Sequence, residues 1–277
     1  MLIPFTHNTL LCLAILLPFN IMATPLFDVH LHFNEQDAKQ FTPEQIINTL
    51  QQQNIKHAVI TSRPPLLIQR LYKLAPDRII PLLGIYQTHN DKANWPHDAA
   101  IADSAESTLR QNIWLGIGEI HITTKDRHSP VFHRIIKLAV QYKLPLLLHT
   151  DPAVIDTVYD IAPGHPVIWA HAGTFPYPDL LANYLQRYPA LHADLSVRDE
   201  RITPNGEISN DWYDLFIQFP DRFMIGVDTY SLSRWKNFDK VIVKIRHWLD
   251  QLPEEVATKL KYKNAERLFI QKALNIK

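Results

Sequence analysis

WLGIGEIHITTKDRHSPVFHRIIKLAVQYKLPLLLHT, residues 114–150, decides how this chain folds. It opens on a short apolar run closed by Glu119, passes through Ser129-Pro130 into an amphipathic stretch at 131–142, and returns to a second apolar run closed by His149. Both runs are continuous rather than alternating, the pattern of strands covered on both faces. A serine cap followed by proline starts the helix between them. Strand, helix and strand in this order make a parallel pair joined by a right-handed crossover. Each strand ends on one polar side chain that can bind a metal.

The same unit recurs in both directions. Apolar runs at 26–30, 57–61, 79–85, 114–120, 145–149, 166–171, 191–195 and 223–228 read as eight strands. Between them, Thr42-Pro43-Glu44-Gln45 carries a capping box with proline at the first helical position. Asp151-Pro152 repeats the cap-and-proline device before a helix at 153–161, and further helices are expected at 98–111, 179–187, 211–219 and 232–252. Eight alternating units predict an α/β chain closed as a (β/α)8 TIM barrel. An open nucleotide-binding sheet is disfavoured, because no glycine-rich loop follows the first strand and only 7 glycines are present. No repeat or composition shift divides residues 24–277, which read as one barrel domain. Its helical tail, 253–277, is a candidate cap for the barrel or a contact in a homodimer.

With 46% hydrophobic residues among 277, a large buried core is expected. Lys plus Arg and Asp plus Glu are 28 each, for zero net charge. Nucleic-acid binders draw much of their affinity from cationic contacts to phosphate, so no nucleic-acid partner is expected and a small-molecule substrate is. Residues 9–22, TLLCLAILLPFNIM, form an uncharged apolar run too short to span a bilayer. They suit a signal peptide over 1–23 with cleavage after Ala23, although no Lys or Arg precedes the run and Ile21 occupies position −3. Cleavage predicts a periplasmic or secreted enzyme without stable membrane insertion; an uncleaved anchor is the alternative. It also removes Cys12, the only cysteine, so metal ligands must be His, Asp or Glu.

Barrel enzymes build their sites at the C-terminal ends of the strands. The first strand leads into His30-Leu31-His32, two imidazoles on one face. The fourth carries Glu119, and the fifth, sixth and eighth end on His149, His171 and Asp228. Any one of these is explained by capping or packing. Five strand ends aimed at one rim are not, since unpaired buried ionisable groups cost several kcal/mol each without a compensating cation. The N and O donor set suits Zn²⁺, with Mn²⁺ as the alternative.

These residues, with Gly118-Glu119-Ile120 and the late stretch Asn264-Ala265-Glu266-Arg267-Leu268-Phe269, resemble the amidohydrolase superfamily, which includes phosphotriesterase-like, TatD-like and decarboxylase-like branches. The resemblance runs from Leu26 to about Phe269 and speaks to superfamily more than to substrate. It implies one or two ions: His30, His32 and Asp228 on the more buried one, His149 and His171 on a second, and Glu119 bridging. Asp228 is also the expected catalytic proton acceptor. Arg63, His121, Asp194 and Arg198 are candidate substrate-binding residues, and Asp28 is a candidate to orient His30. Tyr86, Phe175, Tyr177, Trp212 and Tyr230 are candidate apolar walls. The expected reaction is cleavage of a small ester, lactone, amide or phosphoester by metal-activated water. The alternatives are metal-dependent non-oxidative decarboxylation, with Arg198 clamping a carboxylate, and a TatD-like nuclease.

Overall fold

The computed structural model describes residues 24–111 and 113–271, so the expected signal over 1–23 and the last six residues lie outside it. Eight parallel strands follow one another around the sheet: β1 (Leu26–His32), β2 (Ile55–Thr61), β3 (Ile79–Leu83), β4 (Gly116–Ile122), β5 (Leu146–Thr150), β6 (Val167–Trp169), β7 (Leu191–Asp194) and β8 (Phe223–Met224). The chain beyond β8 meets β1, where Val29 N–H donates to Ile225 O at 3.0 Å and Asp228 N–H donates to His30 O at 2.7 Å. That nearly closes a (β/α)8 barrel, as expected.

Strand alternation sorts the apolar side chains into two cores. Phe27, Val29, Val59, Ile80, Leu82, Leu147, Ile168 and Met224 form a cluster inside the barrel, and a larger cluster fills the layer between strands and helices. Ala265, Leu268 and Phe269 join the inner cluster, with the ring of Phe269 stacked 6.0 Å from Phe27. Buried Asn264 donates to the carbonyls of Pro220 and Phe223 at 2.9 and 2.8 Å. The tail therefore caps the N-terminal end of the barrel, opposite the metal-competent residues.

The helix Pro43–Gln52 begins with the capping box read from Thr42 and Gln45, and Ser129 caps Pro130–Gln141 through the N–H groups of Val131 and Phe132. Asp151 occupies the N-cap position of Pro152–Ile161 without a capping bond; its carboxylate instead accepts from the N–H and hydroxyl of Thr124. The single helix expected at 232–252 is two, Leu232–Lys236 and Phe238–Leu249, separated at Asn237.

Candidate metal centre

β1 sends His30 and His32 into the barrel mouth. Both are buried, and their Nε2 atoms lie 3.2 Å apart. β4 supplies Glu119 and His121, and β5 supplies His149. His171 and Asp228 differ from expectation in one respect: the ladder ends before them, β6 at Trp169 and β8 at Met224. Both adopt left-handed backbone, φ 57° and 55°, and these turns carry their side chains over the mouth. Such conformations cost non-glycine residues on the order of 1–3 kcal/mol and gather at functional sites.

Glu119 sits at the centre. Its Oε2 is 3.6 Å from His30 Nε2, 3.4 Å from His32 Nε2 and 2.9 Å from His121 Nε2. Its Oε1 is 3.0 Å from His149 Nδ1 and 3.2 Å from His171 Nε2. Asp228 Oδ1 faces His32 Nε2 at 3.2 Å and His30 Nε2 at 3.8 Å, yet it is buried and accepts no hydrogen bond. Three ligand groups emerge: His30, His32 and Asp228; His30, Glu119 and His171; and Glu119, His121 and His149. The structure thus brings all six sequence-predicted ligands to one mouth and adds His121.

The imidazoles are aimed by residues behind them. Asp194 Oδ2 accepts from His30 Nδ1 at 2.9 Å and from the His171 backbone N–H at 3.1 Å, while its Oδ1 accepts from Ser196 N–H at 2.7 Å. Ser196 Oγ lies 2.8 Å from His171 Nδ1. With Nδ1 of His30 engaged behind, its Nε2 lone pair points into the mouth, as a metal ligand requires. Burial works against ionising Asp194, but the charge of His30 and its hydrogen bond hold the carboxyl well below the usual range. Replacing Asp194 with Asn is expected to weaken metal binding about 10- to 100-fold with the fold intact, read by chelator competition. Unchanged affinity would mean that His30 is aimed by packing alone.

Asp28 does not orient the His30 ring. It accepts from the His30 and Val227 backbone N–H groups, and burial pushes its carboxyl up to about 7. Arg198 donates from Nε and one Nη to the carbonyls of His171 and Gly173 at 2.7 and 3.2 Å. Trp212 packs into the helix layer against Phe216, while Phe175, Tyr177 and Tyr230 are exposed. Tyr86 is buried, and its hydroxyl accepts from His121 N–H at 2.9 Å. Sequence reading missed Lys92, whose Nζ lies 2.8 Å from His121 Nε2. Its only signal was a cation in the long connection after β3. It missed Ser196 too, two residues past Asp194.

The donor set fits a divalent cation. Burial opposes protonation of His30, yet Asp194, Asp228 and Glu119 draw its pKa well above the usual value. Several carboxylates thus demand positive charge where imidazole nitrogens converge, and a divalent cation, displacing the imidazole proton, would supply that charge. Fold and site together define a class, the metal-dependent hydrolases built on a (β/α)8 barrel. A family profile described as TatD related DNase matches residues 27–165, and one described as Amidohydrolase matches residues 117–270. The chain belongs to the amidohydrolase superfamily.

Its fold is similar to that of a probable 2-pyrone-4,6-dicarboxylic acid hydrolase from Acinetobacter baumannii, at TM-score 0.54 and 15% identity over 89% of this chain and 99% of that one. An amidohydrolase from Burkholderia multivorans aligns at TM-score 0.56 and 13% identity, over 89% and 99%. A TatD family hydrolase from Entamoeba histolytica aligns at TM-score 0.58 and 9% identity, over 88% and 99%. At such identities the likeness is one of fold. No curated protein matches the chain in sequence.

Proposed function

We propose that the protein uses a divalent ion, zinc, to activate water for cleavage of a small ester, lactone, amide or phosphoester. The observation that carries this reading is the orphaned, buried Asp228 Oδ1 facing the Nε2 atoms of His30 and His32. His30, His32 and Asp228 would hold the more buried ion, Glu119 would face it and any second ion, and His149 and His171 would lie on the outer side. A bound zinc brings the pKa of its water toward 7 and so supplies a nucleophile at neutral pH. Asp228 would accept a proton from the attacking water and return it to the leaving group. Asp194 and Ser196 keep His30 and His171 from rotating out of register.

A cavity of about 330 Å³ beside the mouth, bounded by Lys92, Trp95, His121, His149, Asp151 and Thr174, suits a small substrate. Decarboxylation loses support because Arg198, its candidate clamp, is engaged by backbone carbonyls. The TatD-related match keeps a phosphodiesterase as the second reading. Residues 1–23 would direct the enzyme out of the cytoplasm. No helix among the described residues is long and apolar enough to cross a membrane.

The test is a panel of esters, lactones, amides, phosphoesters and single-stranded DNA, run with zinc-loaded and chelator-treated protein. Chelator-sensitive turnover of a small substrate is expected. Salt-sensitive cleavage of DNA alone would transfer the assignment to the nuclease reading, and absence of bound metal after reconstitution would end both.

A further inference from the structure

Two cations border the mouth without partners of opposite charge. Arg63, just past β2, is half-buried, and its guanidinium makes no hydrogen bond or ion pair to any described residue. Lys92, in the connection after β3, is also half-buried; its ammonium meets His121 Nε2 and the face of the Tyr86 ring, and no carboxylate among the described residues pairs with it. Both line one recess with His32, Asn34, Tyr86 and Glu119, and Lys92 continues into the wall of the larger cavity that holds His121 and His149. Substrate in that cavity would have Lys92 in its wall, with Arg63 lining the adjoining recess that Lys92 shares.

A guanidinium offers five N–H donors and an ammonium three. All five of Arg63, and two of Lys92, have no acceptor among the described residues. Burial lowers the Lys92 pKa, Glu119 opposes that, and the charge of Arg63 lowers it further. The two cations thus act on each other, and burial likewise lowers Arg63 against the pull of Tyr86, Glu119 and Asp37. Glu119 is the nearest compensating charge, but imidazoles engage both its oxygens. A divalent ion at the metal centre would neutralise it further, leaving the pair with surplus positive charge.

We propose that Arg63 and Lys92 form an anion-binding subsite, and that the hydrolysed substrate carries a carboxylate or phosphate group beside its scissile bond. This rests on the hydrolase reading for the scissile bond and on the geometry above for the anion. Arg63 presents a planar fork that matches two oxygens of either anion, and Lys92 acts as a point charge on the cavity side. His121 positions Lys92: its Nε2 lies 2.8 Å from the ammonium and 2.9 Å from Glu119 Oε2, between the two.

Two arms test this on zinc-loaded full-length protein, with Arg63→Gln and Lys92→Met as variants. The first measures kcat/KM on matched neutral, carboxylate-bearing and phosphate-bearing esters. The anionic member is expected to lead, and each variant to cut the anionic-to-neutral ratio roughly 10- to 100-fold, as befits loss of a charge-assisted hydrogen bond. Which member leads distinguishes carboxylate from phosphate. The second arm titrates malonate and inorganic phosphate calorimetrically; each variant is expected to weaken binding about tenfold or more, whether or not any ester turns over. Unchanged ratios with unchanged anion binding overturn the subsite and leave the hydrolase standing. Lost anion binding in the variants beside an inert ester panel would keep the subsite and sink the hydrolase reading.

Discussion

Asp228→Asn is expected to lower kcat by about 10³-fold or more with the fold intact, the scale of losing both a ligand charge and a proton acceptor. Asparagine matches aspartate in shape, so the turn at φ 55° and the Asp228 N–H bond to His30 O can persist. What disappears is the charge on an oxygen that is buried and accepts no protein hydrogen bond. Burial and Glu119 both oppose ionisation of Asp228, whereas His30 and His32 favour it strongly enough to hold its pKa below the usual value. Because that lowered pKa means the charge is net favourable in the folded metal-free protein, its loss is expected to cost a modest part of the metal-free stability without unfolding the barrel. The variant is therefore separable from a folding defect: steady-state kinetics in excess zinc report the loss, and a thermal melt of metal-free protein reports the fold. Normal metal binding with wild-type turnover would remove Asp228 from the chemistry and undo the hydrolase assignment.

Gly118→Ala should be the most damaging small substitution. Gly118 has φ 146°, a backbone angle that side-chain-bearing residues rarely adopt. An added Cβ would collide with the Leu147 carbonyl oxygen and lie 2.7 Å from Leu147 Cβ. Both are strand atoms of β5 inside the barrel, so neither can swing aside as a surface side chain would. Overpacking and backbone strain each cost on the order of 1–3 kcal/mol, giving roughly 2–6 kcal/mol together. For a domain of this size that is about 4–24 °C in Tm. Because Gly118 precedes Glu119 and Leu147 lies two residues before His149, relief of the clash must move two of the expected metal ligands. Loss of bound zinc should accompany the lower melting temperature. A variant that melts like wild type and keeps its metal would show that β4 and β5 can separate freely at this point.

Much of the site was legible along the chain because barrel topology converts sequence order into position. A polar residue closing each apolar run must reach the same rim, so His30, His32, Glu119 and His149 could be placed from periodicity alone. His171 and Asp228 reached the rim by another route. The ladder stops early on β6 and β8, and left-handed turns aim the side chains, which no hydrophobic pattern encodes. Asp194 took the part expected of Asp28: Asp28 accepts backbone N–H groups of His30 and Val227, and the His30 ring is held from 164 residues away by Asp194.

The sequence by itself determined the class of fold, the rim on which the site lies and the chemical nature of its ligands, since these depend on local period and residue type. Only the tertiary structure decided the groupings and the loop contacts. His121 stands with Glu119 and His149, Arg198 gives two of its donors to backbone carbonyls, Lys92 reaches the mouth, and the tail seals the far end. Those outcomes turn on where long connections set their side chains in space. Spacing along the chain carries little information about that, because the direction of a loop is set by what it packs against.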